Sequence, residues 1–267
     1  VCLGFFVIHL EALPLTGEGS EWMSERFMSG LRHRNGTAAG DLKPLGRLGA
    51  ITELIGVMHH ANVNLRASHP FQSYWYQWIV VQCKAVLYWQ FTEGENGMWV
   101  YCVGNVFSWG FAAVFGVIGF IVLSLLGALI RVQIDLVPGY IQKRPGSWVA
   151  CFDSALQRYW WNGLILFVAY VGNYVPFAAV PRAVWNYHYI PALLFAFLLC
   201  GVVAQIILDT TEKYGRLWYQ LTKALLLLVV VLSTISFLFF SFFTYGLPMT
   251  QVDNDSRFLF ESWRHTG

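Results

Sequence analysis

Residues 224–243 read ALLLLVVVLSTISFLFFSFF, twenty consecutive residues without a charged side chain. An α-helix of about 20 apolar residues crosses roughly 30 Å of hydrocarbon, so this stretch predicts a membrane span. Three other stretches have the same character, at residues 106–130, 159–181 and 189–208. Residues 1–13 are apolar but too short to span a bilayer, and we expect them to be the end of a fifth helix.

The composition excludes most soluble classes of protein. Of the 267 residues, 57% are hydrophobic and 12% are charged, against roughly 25% charged in an ordinary globular domain. The net charge of +2 is too small to indicate a nucleic-acid partner. The sequence therefore predicts an all-α membrane protein, part of a multi-spanning helical bundle, rather than a soluble enzyme, a disordered tail or a DNA-binding domain.

Lysine and arginine in the short loops predict the orientation, because cytosolic loops carry an excess of both. Residues 131–158 and 209–223 are rich in them, whereas the link at residues 181–188 has only one. The basic residues of the first two segments are Arg131, Lys143, Arg144, Arg158, Lys213, Arg216 and Lys223, and that of the link is Arg182. The first two segments are therefore predicted to be cytosolic.

The same reasoning divides the rest of the chain. Residues 14–98 are predicted to form a luminal or extracytoplasmic loop, residues 99–243 a four-helix membrane domain, and residues 244–267 a luminal tail. The two N-x-[ST] glycosylation sequons, at Asn35 and Asn254, both fall on the predicted non-cytosolic side, which agrees with this orientation.

The 14–98 segment is not uniform. After a polar, glycine-rich stretch, apolar residues recur with roughly helical spacing at Ile51, Leu54, Ile55, Met58 and Leu65. This spacing predicts an amphipathic helix lying in the membrane interface. Next comes a dense aromatic block, HPFQSYWYQW at residues 69–78, and then a short, half-buried apolar segment at residues 79–89.

The distribution of polar groups limits the function. The centres of the four spans lack charge, which argues against an ion pump or a proton-coupled transporter. Ionisable groups instead gather on the predicted non-cytosolic rim: Glu11, Glu18, Glu21, Glu25, Glu53, His59, His60, His69, Arg182 and His188. A membrane enzyme working at the lipid–water boundary and an ordinary extracellular loop both fit this pattern. The histidines are interpreted as polar-face residues, and neither a metal site nor a cofactor is predicted.

Five blocks in order resemble one family. They are FVIHL with GEGSEWMS within residues 6–24, HPFQSYWYQW at 69–78, GNVFSW at 104–109, RAVWNYHYIPA at 182–192, and TYGLP at 244–248 followed by Trp263. Together they resemble the C-terminal membrane region of the protein O-mannosyltransferases. The chain departs from the family pattern at three points. Ile79 follows Trp78 where the family has a proline, and Lys84 is the nearest base where the family has an arginine a few residues on. Proline is also missing after Asn105. Residues 30–49 are too few to hold the family's β-trefoil (MIR) domain.

The resemblance implies a GT-C-type glycosyltransferase that moves mannose from a polyprenyl or dolichyl phosphate to Ser or Thr hydroxyls of secretory proteins, with inversion. It also implies residence in the endoplasmic reticulum membrane, or in the plasma membrane of a bacterium, and a homo- or heterodimer. The family's catalytic acid lies in the first luminal loop, so no catalytic residue is assigned here. We expect the chain to be the C-terminal part of a longer protein and these 267 residues alone to be inactive.

The matching blocks supply the candidate site residues. Arg182, His188 and Tyr189 are candidates for the donor phosphate, since a guanidinium matches phosphate geometry. His69, Trp75 and Trp78 are candidates for the acceptor side of the site. Headgroup snorkelling for Arg182 and interfacial anchoring for the aromatic residues stay open. So do two other functions: another GT-C polyprenyl-phosphate-sugar transferase, and a non-catalytic subunit or transporter element.

Overall fold

The computed structural model describes residues 2–64, 68–136 and 146–264. It divides into two compact units, Val1–Ala67 and Ser68–Gly267. Three residues used in the sequence predictions, Leu65, Lys143 and Arg144, lie outside the described residues.

The first unit consists of helices joined by turns. Its elements are α1 (Cys2–Ala12), a 3₁₀ turn (Ser20–Trp22), α2 (Glu25–Met28) and α3 (Arg47–Asn64). Ser24 caps α2, because its Oγ accepts from the amide of Phe27 at 3.2 Å. The Glu53 carboxylate of α3 holds that cap by accepting from the Ser24 amide and hydroxyl at 2.6 and 2.7 Å. A helix therefore forms where the amphipathic spacing predicts one, and its position in the membrane interface stays a prediction.

The second unit contains four helical segments long and apolar enough to cross a membrane, as the sequence predicts. They are span 1 (Val106–Gln133), span 2 (Trp148–Ala179), span 3 (Asn186–Tyr214) and span 4 (Arg216–Tyr245). Span 1 is made of α5 (Val106–Phe111), a π-helical segment (Ala112–Ile118) and α6 (Gly119–Leu136), and span 2 of α7 (Trp148–Tyr174) with a 3₁₀ turn (Val175–Ala179). Span 3 is a 3₁₀ turn (Asn186–Tyr189) followed by α8 (Ile190–Tyr214), and span 4 is α9 (Arg216–Tyr245).

Span 3 is the centre of the bundle, since it packs against the other three spans and more extensively than any of them. Its core face is lined with fully buried residues such as Ala196 and Leu199. Span 1 approaches it closely at Gly116, where an added Cβ would lie 2.5 Å from the carbonyl oxygen of Ala196. Small residues at such crossings are typical of membrane helices, because they let two backbones pack together. Gly116 lies within the π-helical segment.

A three-stranded antiparallel sheet stands at one end of the bundle and was not predicted. Strand β1 (Val86–Glu93) pairs with β2 (Asn96–Cys102), which pairs with the short β3 (Met249–Thr250). Gly94 begins the two-residue turn between β1 and β2 with a φ of 61°, a conformation that favours glycine. The predicted boundary between residues 98 and 99 thus falls inside β2, and residues 86–89 belong to a strand.

The entry to span 1 explains one of the sequence blocks. Asn105 caps α5, because its Oδ1 accepts from the amide of Ser108 at 3.0 Å. Gly104 is required by close packing: a Cβ there would lie 2.6 Å from the Trp109 ring and 2.9 Å from Val81. The glycine, asparagine and tryptophan of this block are therefore structural residues that begin the span.

The remaining short elements close the same end. They are α4 (Trp75–Trp78), α10 (Gln251–Ser256) and a 3₁₀ turn (Glu261–Trp263). The tail is anchored by Trp263, which is 1% exposed and donates its indole N–H to the carbonyl oxygen of Val81 at 2.7 Å.

Candidate functional site

Two of the sequence blocks meet at the sheet end of the bundle. The amide of Ser73 donates to the carbonyl oxygen of Val184 at 2.8 Å, and the indole of Trp78 donates to the Ser73 hydroxyl at 2.8 Å. Asn186, at the start of span 3, donates from its side chain to the carbonyl oxygen of Cys102 at 2.7 Å. The first bond joins the 69–78 block to the 182–189 segment, the second holds the 69–78 block together, and the third ties the start of span 3 to strand β2.

Trp185 lies between two of the predicted site residues. Its ring makes an edge contact with His69 at a centroid distance of 5.4 Å and stacks on His188 at 5.6 Å. Tyr187 stacks on His188 at 4.6 Å and on Trp185 at 5.8 Å. We call His69, Arg182, Trp185, Tyr187 and His188 the Trp185 cluster. Trp185 and Tyr187 were not predicted as site residues, although both lie in the quoted 182–192 block.

The hydrogen bonds of His69 define its tautomer. Nδ1 accepts from the Phe71 amide at 3.1 Å and from the Trp185 indole N–H at 3.4 Å. Both groups can only donate, so Nδ1 must carry a lone pair, and in the neutral ring the proton resides on Nε2. His69 is exposed, and its Nε2–H is therefore a donor suited to an oxygen of a ligand.

His188 does not have its tautomer fixed in the same way. Its Nδ1 lies 3.1 Å from both the amide nitrogen and the carbonyl oxygen of Trp185, so either neutral form finds a partner. The ring is half-buried between Phe177, Trp185 and Tyr187.

Arg182 is the cation of the cluster. Its side chain is half-buried and lies close enough to interact electrostatically with Tyr187 and His188. Within the described part of the chain, it makes no hydrogen bond and no ion pair from its side chain. A partly desolvated guanidinium without a carboxylate partner is an electrostatic site for an anion.

The other predicted site residues lie behind this cluster. Trp78 and Tyr189 are fully buried, and Tyr189 places its hydroxyl 3.3 Å from that of Tyr170. Trp75 is half-buried and is held by the Tyr174 hydroxyl, which donates to its carbonyl oxygen at 2.9 Å. Neither Trp78 nor Tyr189 offers surface to a ligand in this structure, so their contribution to a site is to support it.

Lys84 has a structural role that the sequence did not indicate. Its ammonium group donates to the carbonyl oxygen of Pro70 at 2.8 Å. The bond ties the loop that carries His69 to the segment preceding β1, which helps to hold the imidazole in place.

The thiols near the cluster are inert. Burial raises the pKa of Cys83 to about 12 and that of Cys102 to about 11, so both are neutral at physiological pH. This agrees with the interpretation of the cysteines as small buried hydrophobes. Among the residues with described positions, no group of three His, Cys, Asp or Glu side chains could hold a metal ion.

The two sequons differ in accessibility. Asn35 is exposed and accepts from the Thr37 hydroxyl at 2.7 Å. Asn254 is 2% exposed, and its amide donates to Asp255 at 3.2 Å. The folded tail therefore leaves no room for a glycan at Asn254.

A second charged group lies at the opposite end of the bundle. Arg131 forms an ion pair with Asp153 at 2.9 Å, and Arg158 with Asp209 at 3.2 Å. Each carboxylate also accepts from a glutamine amide at 2.6 Å, Gln157 for the first and Gln205 for the second. The two aspartates are buried, so these bonds compensate charge inside the bundle.

The comparisons with known proteins agree with the fold and the sequence blocks. Residues 48–263 match the family described as the C-terminal four TMM region of protein-O-mannosyltransferase. Over 172 residues, the chain is 26% identical to dolichyl-phosphate-mannose–protein mannosyltransferase 4 of Saccharomyces cerevisiae, covering 64% of this chain and 20% of that protein. Over 210 residues, it is 26% identical to mannosyltransferase 1 of the same yeast, covering 78% of this chain and 23% of that protein.

A solved structure has the same fold. It is the S. cerevisiae protein O-mannosyltransferase Pmt1-Pmt2 complex bound to the sugar donor, with a TM-score of 0.65 and 23% identity, covering 86% of this chain and 28% of that one. The chain spans only about a fifth of the length of the curated relatives named above. Because the family match extends over most of its residues, this chain belongs to the family of the C-terminal four TMM region of protein-O-mannosyltransferase.

Proposed function

We propose that this chain is the C-terminal membrane part of a glycosyltransferase that moves mannose from dolichyl phosphate mannose to Ser or Thr hydroxyls of proteins. Its relatives in yeast carry that donor in their names. The Trp185 cluster is the proposed donor-phosphate site, and the observation that carries this is Arg182, which pairs with no described residue and lies close to His188.

The chemistry of the transfer explains why such a cluster is useful. When the bond between mannose and phosphate breaks, negative charge develops on the phosphate oxygens, and a guanidinium stabilises it. Arg182 supplies this guanidinium, and the Nε2–H of His69 supplies a hydrogen-bond donor. Trp185 is a positioning residue that holds His69 by its indole N–H and His188 by stacking.

The attacking hydroxyl also needs a base to accept its proton, and a carboxylate is the usual group. Across the described segments, no Asp or Glu side chain forms a hydrogen bond or an ion pair with the Trp185 cluster. We therefore propose that another part of the whole protein supplies this base, and that these 267 residues alone do not transfer mannose. Detection of mannosyl transfer by them would contradict this proposal.

The cellular setting belongs to the same proposal. We assign the chain to the endoplasmic reticulum membrane, with residues 14–98 and 244–267 on the luminal side and the four spans in the bilayer. The matched structure is a complex of two family members, and this supports pairing with a second member here. The exposed Asn35 sequon is a marker for the orientation, because glycosylation there requires a luminal position.

The test is the affinity of the whole protein for dolichyl phosphate mannose. We expect Arg182→Ala to weaken donor binding by about tenfold or more, since a hydrogen bond to a charged group contributes roughly 1.5–3 kcal/mol. Arg182→Lys keeps the charge but loses the fork of donors, and its affinity should lie between the two. Arg264→Ala is the matched control, because Arg264 is exposed and lies in the tail. Unchanged affinity in Arg182→Ala would remove the phosphate role.

A further inference from the structure

An apolar groove runs along the bundle between span 1 and span 4. It has a volume of about 700 Å³, and among the described residues that line it Ser236 is the only polar one. Span 1 contributes Val106, Phe107 and Gly110, span 4 contributes Ile235 and Phe239, and the tail contributes Leu259. None of these residues belongs to the Trp185 cluster.

The shape of the groove suits a hydrocarbon chain. Its wall on span 1 runs from Val106 to Val114, which is about 12 Å at 1.5 Å per residue. Gly110 leaves the groove open, since an added Cβ would meet nothing within 4 Å. An apolar groove on a membrane-spanning surface is filled by lipid chains or by another apolar helix.

A cation lies beside the groove, next to one of the residues that line it. The guanidinium of Arg257 lies 4.3 Å from the ring centroid of Phe242 and 5.5 Å from that of Phe239. Nη1 donates to the carbonyl oxygen of Asp253 at 3.0 Å. Nε is buried and has no hydrogen-bond partner among the residues whose positions are described.

No carboxylate neutralises Arg257 within the described part of the chain. The nearby acids have other partners: Asp253 accepts from the Thr250 hydroxyl at 2.9 Å, and Asp255 accepts from the Gln251 amide at 2.9 Å. Arg257 therefore keeps a net positive charge at the end of the bundle where span 1 begins. Charge complementarity then favours an occupant that joins an apolar chain to an anion.

We propose that this groove binds a glycerophospholipid of the surrounding bilayer. One acyl chain lies in the groove beside Gly110, and the phosphodiester contacts the guanidinium of Arg257. The phosphodiester is shared by all glycerophospholipids, so the site selects for the phosphate and not for a particular headgroup. The proposal is independent of the donor site, because Arg182 and Arg257 lie on different segments and share no partner.

The test is native mass spectrometry of the full chain titrated with dioleoylphosphatidylcholine or with dioleoylglycerol, which has the same chains and no phosphate. We expect one retained phospholipid, bound about tenfold more tightly than the diacylglycerol, as one charge-assisted hydrogen bond provides. Arg257→Gln should remove that preference, and Arg257→Lys should keep part of it. Gly110→Phe fills the groove and should weaken binding of both lipids.

Two matched variants control for non-specific effects. Arg264→Gln removes an exposed arginine of the same tail, and Gly172→Phe adds a phenyl ring at an exposed glycine of span 2; neither should change lipid retention. Equal retention in Arg257→Gln and Arg264→Gln would overturn the proposal. Preferential binding of dolichyl phosphate over phosphatidylcholine would also overturn it. The same holds if Gly110→Phe dissociates a dimer of the chain but leaves lipid binding unchanged, since the groove would then bind a second copy of the protein. Circular dichroism would establish that each variant is folded.

Discussion

At one end of the bundle, Asp153 and Asp209 are buried, and each bonds to one arginine and one glutamine. At the other end, Arg182 is half-buried and bonds to no described residue. We call these the ion-pair end and the aromatic end, the latter being the Trp185 cluster with Trp78 behind it. The two ends belong to the same compact unit, but the buried charges are paired at the first end, whereas at the second end Arg182 has no described partner.

The difference separates charges that hold the fold from charges that are available to a ligand. A buried carboxylate needs partners because removing it from water is costly, and the ion-pair end supplies them within the bundle. An arginine without such partners has its donors free for an anion. Changes at the ion-pair end should therefore alter stability, whereas the loss of Arg182 should alter binding.

The largest effect should come from replacing Trp78, the buried tryptophan of the aromatic end. Trp78 is fully buried, packs on Phe177 at 5.2 Å and bonds to Ser73. Trp78→Ala should lower the free energy of unfolding by about 3–5 kcal/mol, measured by titration with sodium dodecyl sulfate. Trp161→Ala is the control, because Trp161 is 66% exposed, and its loss should stay near 0.5 kcal/mol. Equal losses would mean that Trp78 does not support this end.

The second-largest effect should come from breaking an ion pair at the ion-pair end. Arg131→Ala leaves the buried Asp153 with Gln157 alone and should lower the free energy of unfolding by about 1–2 kcal/mol, less than a fully buried pair because Arg131 is 45% exposed. The double variant Arg131→Met with Asp153→Leu should be more stable than the single one, since it removes the unpaired charge. A single variant as stable as the wild type would show that this pair is not structural.

Alkaline pH should weaken the sheet beside the aromatic end. The pKa of Cys83 is about 12 in the folded chain against 9.0 for an ordinary thiol. The buried Cys83 thiol contributes fully to the free energy of unfolding below pH 9. This contribution is lost as the pH rises from 9 to 12, because the thiol loses its proton in the unfolded chain before it does so in the folded chain. At pH 10 the loss should be about 1 kcal/mol. Unfolding between pH 8 and 10 measures it, and Cys83→Ala should remove the part that Cys83 contributes while leaving the part that Cys102 contributes.

The smallest effect concerns Trp185. Trp185→Phe keeps an aromatic ring beside His188 but removes the indole N–H that bonds to His69 at 3.4 Å. We expect a loss of about 0.5–1 kcal/mol in the free energy of unfolding, and a larger loss in Trp185→Ala. If phenylalanine and tryptophan give the same stability and the same donor affinity, the indole bond plays no part in positioning His69.

The sequence predicted the four spans because each contains a long uncharged run. It placed the start of the second span at residue 159, whereas the span begins at Trp148. Asp153 and Arg158 hid the first turns of that helix, since their charges are compensated by residues distant in sequence. The hairpin at residues 86–102 was missed as well. Its two-residue turn at Gly94, between segments rich in aromatic and β-branched residues, was the available signal.

Three residues of the proposed site were named from the sequence, but their arrangement was not. The family resemblance identified His69, Arg182 and His188, which the structure brings into one cluster. The bond between Trp185 and His69 joins residues 116 positions apart, and no spacing rule covers such a distance. The burial of Trp78 and Tyr189 likewise depends on packing between spans, so an aromatic at a predicted helix edge could equally have faced lipid or ligand.

The most direct test measures two quantities in two variants of the whole protein: the affinity for dolichyl phosphate mannose and the free energy of unfolding, in Arg182→Gln and in Arg131→Gln. We expect Arg182→Gln to bind the donor at least about tenfold more weakly with nearly unchanged stability. Arg131→Gln should show the reverse, lower stability with unchanged donor affinity. Donor affinity that falls equally in both variants, or in neither, would contradict the assignment of Arg182 to the donor phosphate.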